Sequence, residues 1–237
     1  MFHPKGPTLL ELARQALSSV EHGYDLLAPK FDYTPFRTPD CVLQAALAHV
    51  EGPVDSALDV GCGTGAALRL LRPRCRQRVV GVDLSQGMLE EARHRLADTS
   101  GPPLELLRTD ALALPFHEEF DLVTSFGAFG HILAQDEPRL VASLHRALRP
   151  GGRFLFVTSE PPSPLRPGVW LARAFNAAMR VRNALWRPPF VMYYLTFLAP
   201  QARALLEAQG FSVHFHPLSL PEPYSRSNLL AAVATRR

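Results

Sequence analysis

The chain has 237 residues, 47% of them hydrophobic and 20% charged, with a mean hydropathy near zero. Those figures suit one substantial core and exclude both wholesale disorder and a bundle of membrane helices. Lys+Arg 25 against Asp+Glu 22 leaves a net charge of +3, carried almost wholly by arginine and too small to argue for a nucleic-acid partner. Cys41, Cys62 and Cys75 stand at unrelated spacings and form neither a disulfide framework nor a zinc site. The N-terminus lacks the profile of a signal peptide, so a cytoplasmic, single-domain protein is expected.

Two helices are expected within residues 1–50. The first carries Leu9, Leu10, Ala13, Ala16, Leu17 and Val20 at helical spacing. The second carries Leu43, Ala46, Leu47 and Val50, with Asp40 as N-cap. An aromatic loop between them holds Tyr24, Phe31, Tyr33 and Phe36. From residue 56 short apolar runs alternate with amphipathic helices. Strands are predicted at 56–60, 78–83, 104–109, 120–126 and 153–158. Helices are predicted at 65–71, after Ser85, and around Leu140–Leu148. The alternation breaks over residues 161–200, where a helix at 168–187 precedes a mainly apolar run. Residues 201–237 supply a last helix and two strands, at 211–216 and 228–235, linked by too short a segment for a crossover and hence antiparallel. The expected fold is α/β: a Rossmann-like, open, mostly parallel seven-stranded sheet with helices on both faces and an antiparallel strand near one edge.

Gly61-Cys62-Gly63-Thr64-Gly65 lies between a predicted strand and a predicted helix, where glycine permits a sharp turn and close approach of a ligand to backbone N–H groups. Asp83 ends the next strand, where a carboxylate can accept both hydrogen bonds of a ribose diol. A P-loop would need a following Lys-Ser/Thr, and a dinucleotide fold prefers GxGxxG. This loop has neither.

LDVGCGTG, VDLS, TDALALPF, FDLVTSFGAFGHI and LRPGGRFLFV, in that order over residues 56–158, resemble the class I S-adenosylmethionine-dependent methyltransferases of the small-molecule type. The resemblance implies S-adenosyl-L-methionine as cofactor and assigns roles by position. Gly61, Cys62 and Gly63 would line the methionine moiety, with Asp59 placing its amino group. Asp83 and Leu84 would border the ribose, and Met88 would pack on adenine. Asp110 and the Ala111 N–H would read the adenine edge. Ser125 and Phe126 would edge the transfer site. Tyr24 and Tyr33, in the aromatic loop before the core, look like a lid over the cofactor. Each has a plainer reading: Asp59 and Asp110 as caps, Met88 as core, Cys62 as small-residue filling, and the tyrosines as packing of the N-terminal helices.

The acceptor is expected to be a small hydrophobic or aromatic molecule. His131, just beyond the fourth strand, is the candidate general base, with His117 a weaker one. A turn-capping role competes for His131. No metal constellation is present in the sequence. In the 161–200 insertion, Leu171, Phe175, Ala178, Val181 and Leu185 share one side, and Arg173, Arg180, Arg182 and Arg187 carry the charge. A lid over the acceptor ranks first, packing or a dimer face second, and an anionic membrane surface third. Rivals are an RNA or protein methyltransferase and a non-catalytic cofactor-binding partner subunit. The fourth strand is followed by neither the D/N-P-P-Y/F of base-amine methylation nor a cysteine nucleophile. Monomer and homodimer both remain open.

Overall fold

A computed structural model describes residues 3–225 and 227–237. Helices α1 (Leu9–Leu17), α2 (Val20–Leu27) and α3 (Asp40–Leu47) precede β1 (Val54–Val60), α4 (Ala66–Leu71), β2 (Cys75–Asp83), α5 (Gln86–Leu96) and β3 (Leu104–Arg108). Then follow β4 (Phe120–Ser125), α6 (Glu137–Ala147), β5 (Leu148–Ser159), α7 (Pro167–Leu185), α8 (Ala199–Ala208), β6 (Phe211–Pro217) and β7 (Leu229–Arg236). The strands pair in the order β3-β2-β1-β4-β5-β7-β6. All are parallel except β7, which runs antiparallel between β5 and β6 and is therefore one strand in from the edge.

Buried apolar residues explain the layering. Strands covered on both faces need continuous apolar runs, and β4 and the centre of β1 are buried along nearly their whole length. One face of the sheet packs on Leu140, Val141 and Leu144 of α6 with Ala202 and Leu206 of α8. The other packs on Ala46 and Leu47 of α3, Leu68 and Leu71 of α4, and Leu89, Ala92 and Leu96 of α5. Each fully buried leucine contributes about 1.5–3 kcal/mol. The chain order reverses between β1 and β4, so the loops leaving those two strands diverge and open a crevice at their carboxyl ends.

Three local expectations change. The first helix breaks at Ser18 and Ser19, both extended, and Ser19 caps a separate α2 by accepting from the His22 N–H. Tyr24 thus stands on a helix rather than in a loop. Asp40 does not cap α3: Pro39 precedes the helix, and the Asp40 carboxylate takes Arg37 at 2.5 Å and Arg69 at 2.7 Å. Most of the apolar side of α7 points outward, apart from Phe175, which packs edge-on against Tyr194 at 5.0 Å. Leu171, Val181 and Leu185 are exposed, while Val169 and Met179 are buried.

The inner face of α7 instead presents two asparagines seven residues apart. Asn176 gives and takes a hydrogen bond at the Tyr194 backbone, both at 2.9 Å, and Asn183 does the same at Phe190, at 3.0 and 2.9 Å. An amide side chain carries both donor and acceptor, so each clamps one residue of the irregular strap 190–196 as a neighbouring strand would. Asn183→Ala leaves the Phe190 N–H and carbonyl without partners, a cost of about 1–3 kcal/mol. Amide exchange at Phe190 should accelerate by roughly ten- to a hundredfold with the sheet core unaffected; unchanged protection there would mean that the clamp does not hold the strap.

Candidate active site

The glycine turn after β1 is built by backbone conformation. Gly61, Gly63 and Gly65 have φ of 70°, 52° and 86°, in the left-handed region where a side chain is strained. A Cβ on Gly61 would lie 2.9 Å from that of Ala128, and one on Gly65 would lie 2.7 Å from Leu96 Cδ1. The Gly61 and Cys62 N–H groups both donate to the Val82 carbonyl. Asp83 completes the turn: its Oδ2 accepts from the Gly63 N–H at 2.8 Å and its Oδ1 from the Ser85 N–H at 2.9 Å. Each carboxylate oxygen has a further acceptor site, so Asp83 can hold the loop and still receive a diol.

Above this turn lies a cavity of about 720 Å³. It is lined by Tyr24, Asp59, Gly61, Cys62, Gly63, Asp83, Leu84, Met88, Asp110, Ala111, Phe126 and His131 among others. Thus twelve of the fifteen residues singled out from sequence meet in one place. Ser125 does not line it: its hydroxyl is buried and donates to the Val60 carbonyl at 2.8 Å, tying β4 to β1. Tyr33 and His117 also lie outside it. Tyr33 stacks on His3 at 4.8 Å, and His117 is exposed. Asp110 serves as cap and wall at once, accepting from the Leu112 N–H at 2.9 Å. Among the described residues no His/Cys/Asp/Glu group suited to a metal ion occurs.

The cavity has two electrical halves. Toward the glycine turn stand two acids, Asp59 buried and Asp83 half-buried. Burial pushes Asp59 up to about 7, against a lowering hydrogen bond from Thr124 at 2.6 Å, and the nearby Asp83 adds to the rise. Burial also raises Asp83, opposed by the backbone donors of Ser85, Gly63 and Leu84. Two neighbouring carboxylates, each partly stripped of water, favour a cation beside them. Burial, followed by the two acids, drives the Cys62 thiol well above its ordinary range, so it is an inert lining group.

The other half is apolar and is spanned by one hydrogen-bonded chain. His131 Nδ1 lies 2.7 Å from the Val191 carbonyl, and its Nε2 lies 2.8 Å from the Tyr24 hydroxyl. A carbonyl can only accept, so Nδ1 carries the proton and Nε2 accepts from Tyr24. Burial lowers the His131 pKa, partly offset by the bond to Val191, and burial raises that of Tyr24, reinforced by Asp83. The pair is therefore neutral at rest.

The position of Tyr24 follows from the neighbouring Asp25. Its Oδ1 accepts from the Ser85 hydroxyl at 2.6 Å and from the Gly87 N–H at 2.9 Å, at the N-terminus of α5. Sequence reasoning missed Asp25, and also Arg37, the one arginine or lysine lining the cavity among the described residues. Neither sits in a motif; both are brought in by tertiary packing of the N-terminal segment. Tyr193 and Tyr194, from the strap, complete the apolar wall.

A glycine turn, a strand-end carboxylate and a crevice at the sheet's switch point define a nucleoside-binding α/β enzyme. The acids beside the turn suit a nucleoside bearing a cation, and the cradle has no room for side chains where the backbone must approach it. A family model described as a methyltransferase domain matches residues 57–152. Demethylmenaquinone methyltransferase of Thermus thermophilus is 36% identical over 171 residues, covering 68% of this chain and 76% of that protein. Trans-aconitate 2-methyltransferase of Azoarcus is 35% identical over 167 residues, covering 65% and 60%. The solved structure of DhpI in complex with SAH shares the fold, with a TM-score of 0.65 at 19% identity over 96% of this chain and 98% of that one. The chain belongs to the class I S-adenosylmethionine-dependent methyltransferases, and S-adenosylmethionine is its cofactor.

The raised Asp59 has a consequence for pH. Without ligand the folded protein retains a proton on Asp59 that the unfolded chain loses above its usual range near 3.8. Its contribution to stability therefore falls as pH rises from about 4 to about 7, by up to about 4 kcal/mol for a rise of this size. A cationic amino group beside it reverses the preference and favours the ionised form. Asp59→Asn should raise the melting temperature of the ligand-free protein at pH 8 but not at pH 4. In the native protein, cofactor affinity should climb as pH rises through 7, and Asp59→Asn should flatten that climb. A variant with the native pH profile would remove Asp59 from contact with the cofactor's charge.

Proposed function

We propose that the protein transfers the methyl group of S-adenosylmethionine, by in-line displacement, to a small aromatic acceptor carrying an ionisable hydroxyl, of the hydroquinone type. The observation that carries this reading is the neutral Tyr24–His131 pair set in an apolar, aromatic half-cavity walled by Phe126, Phe129, Tyr193 and Tyr194. The relative from Thermus thermophilus, named for demethylmenaquinone, supports an acceptor of that chemistry.

The cofactor supplies a methyl group already activated on a positively charged sulfur. The chain's residues then have three tasks. In this reading the glycine turn, Asp83, Met88 and Asp110 hold the nucleoside, and Asp59 takes the amino group. Arg37, the one arginine or lysine at the cavity among the described residues, pairs with the carboxylate while keeping its bond to Asp40. The aromatic walls hold the acceptor ring and exclude water, and positioning of this kind contributes up to about 7–11 kcal/mol. Tyr24 and His131 move the proton. The Tyr24 oxygen accepts it from the acceptor hydroxyl as its own proton passes to His131 Nε2, while Nδ1–H stays on the Val191 carbonyl. The acceptor ring, now an anion, becomes the nucleophile; once its carbon carries the methyl group, the hydrogen on that carbon returns to the acceptor oxygen, and the proton on His131 passes to water.

Labelled methyl from S-adenosylmethionine should appear in a prenylated naphthohydroquinone and not in trans-aconitate or RNA. Label confined to either of the latter would contradict the acceptor assignment. His131→Ala and Tyr24→Phe should each lower kcat by roughly 10²–10⁴. Because burial lowers the His131 pKa, the acid limb of the native kcat profile should lie below the ordinary histidine range, and His131→Ala should abolish it. Retention of that limb in the variant would assign the base elsewhere.

A further inference from the structure

Helix α7 carries its apolar stripe on the side away from the protein. Leu165 just before it is 90% exposed, Leu171 75%, Leu185 80% and Val181 59%, and Trp170 and Trp186 are 59% and 55% exposed. Ala174, Ala177 and Ala178 are exposed between them. Among the described residues this face has no partner, because the opposite face is already committed, through Asn176 and Asn183, to the strap that walls the cavity.

Arginine flanks the stripe in a regular row. Arg166, Arg173, Arg180 and Arg187 recur at intervals of seven, all exposed. Residues seven apart fall about 20° short of two full turns, so Arg173 and Arg180 lie along one flank of α7, with Arg166 at its N-cap and Arg187 just beyond its C-cap. No acid occurs between Glu160 and Glu207 to neutralise them. The arginines of 161–200 outnumber the net +3 of the whole chain, so the positive charge is concentrated here and the remainder is net acidic.

We propose that α7 is an interfacial helix that seats the protein on an anionic lipid bilayer, its Trp/Leu stripe entering the headgroup boundary and its arginine row facing lipid phosphates. Exposed tryptophan and leucine beside a one-signed basic flank is the pattern of helices that lie in that boundary. A second copy of the chain is a poor occupant, since a two-fold contact on this face would set one arginine row against the other with no acid between. Seated this way, α7 holds the cavity's strap on one side and lipid on the other, so an apolar acceptor can pass from bilayer to cavity without crossing water.

Trp170 and Trp186 are the only tryptophans in the chain, so intrinsic fluorescence reads this face alone. Vesicles of phosphatidylcholine with roughly a third phosphatidylglycerol should shift the emission to the blue and carry the protein down on sedimentation. Pure phosphatidylcholine should do so far less, and high salt should reverse the effect. Arg166→Glu/Arg173→Glu should weaken vesicle binding by roughly tenfold or more while calorimetric binding of S-adenosylmethionine stays unchanged. No spectral shift with anionic vesicles would overturn the proposal. So would a stable dimer whose emission ignores vesicles, or vesicle binding of the double variant equal to that of the native chain. Vesicle binding requires no methyl transfer, so a wrong acceptor assignment would leave this result untouched.

Discussion

The site hangs on one carboxylate. Asp83 sits half-buried at the end of β2, facing the cavity, and would be costly there without donors. The Gly63 and Ser85 N–H groups supply them, and in doing so they fix the glycine turn on one side and the start of α5 on the other. The Ser85 hydroxyl and the Gly87 N–H, at that same helix start, receive Asp25, and Asp25 brings α2 down with Tyr24 on it. From Tyr24 the chain of hydrogen bonds runs through His131 to the strap at Val191. Five segments of the chain are thus aligned around one cavity by a short series of polar contacts.

Those contacts divide the cavity by charge. The acids Asp59 and Asp83 lie together near the turn, where a cation relieves their mutual repulsion and desolvation. Tyr24 and His131 hold each other neutral in the apolar half, so a proton can be taken up there without a standing charge to desolvate. A methyltransferase needs this division, because its cofactor is cationic and its acceptor, here read as an aromatic hydroxyl, must become anionic only at the moment of attack.

The sheet and the cofactor half were legible because their signals are local. Apolar runs such as Phe120–Ser125 cannot be anything but covered strand beside helices of 3.6 period, and Gly61 and Gly65 are glycine because nothing else fits their backbone and neighbours. The rest depends on tertiary packing. Apolar periodicity placed Leu171, Val181 and Leu185 on one side of α7 but carries no information on which side faces the protein. The deciding residues were Asn176 and Asn183, polar groups that read as surface until the strap they clamp is seen. Ser18 and Ser19 separate two helices that periodicity joins, and Arg37 reaches the cavity only because the N-terminal segment folds over the turn. Ser125 sits at the expected place in the chain, yet its hydroxyl is spent on the Val60 carbonyl.

The most direct test of this account is calorimetric titration of S-adenosylmethionine into the native protein and into Asp83→Ala, each checked for folding by circular dichroism. The account predicts one site per chain in the native protein and an affinity at least about tenfold weaker in the folded variant, since one lost charge-assisted hydrogen bond is worth about 1.5–3 kcal/mol. Equal affinities, or no binding to the native protein, would contradict it.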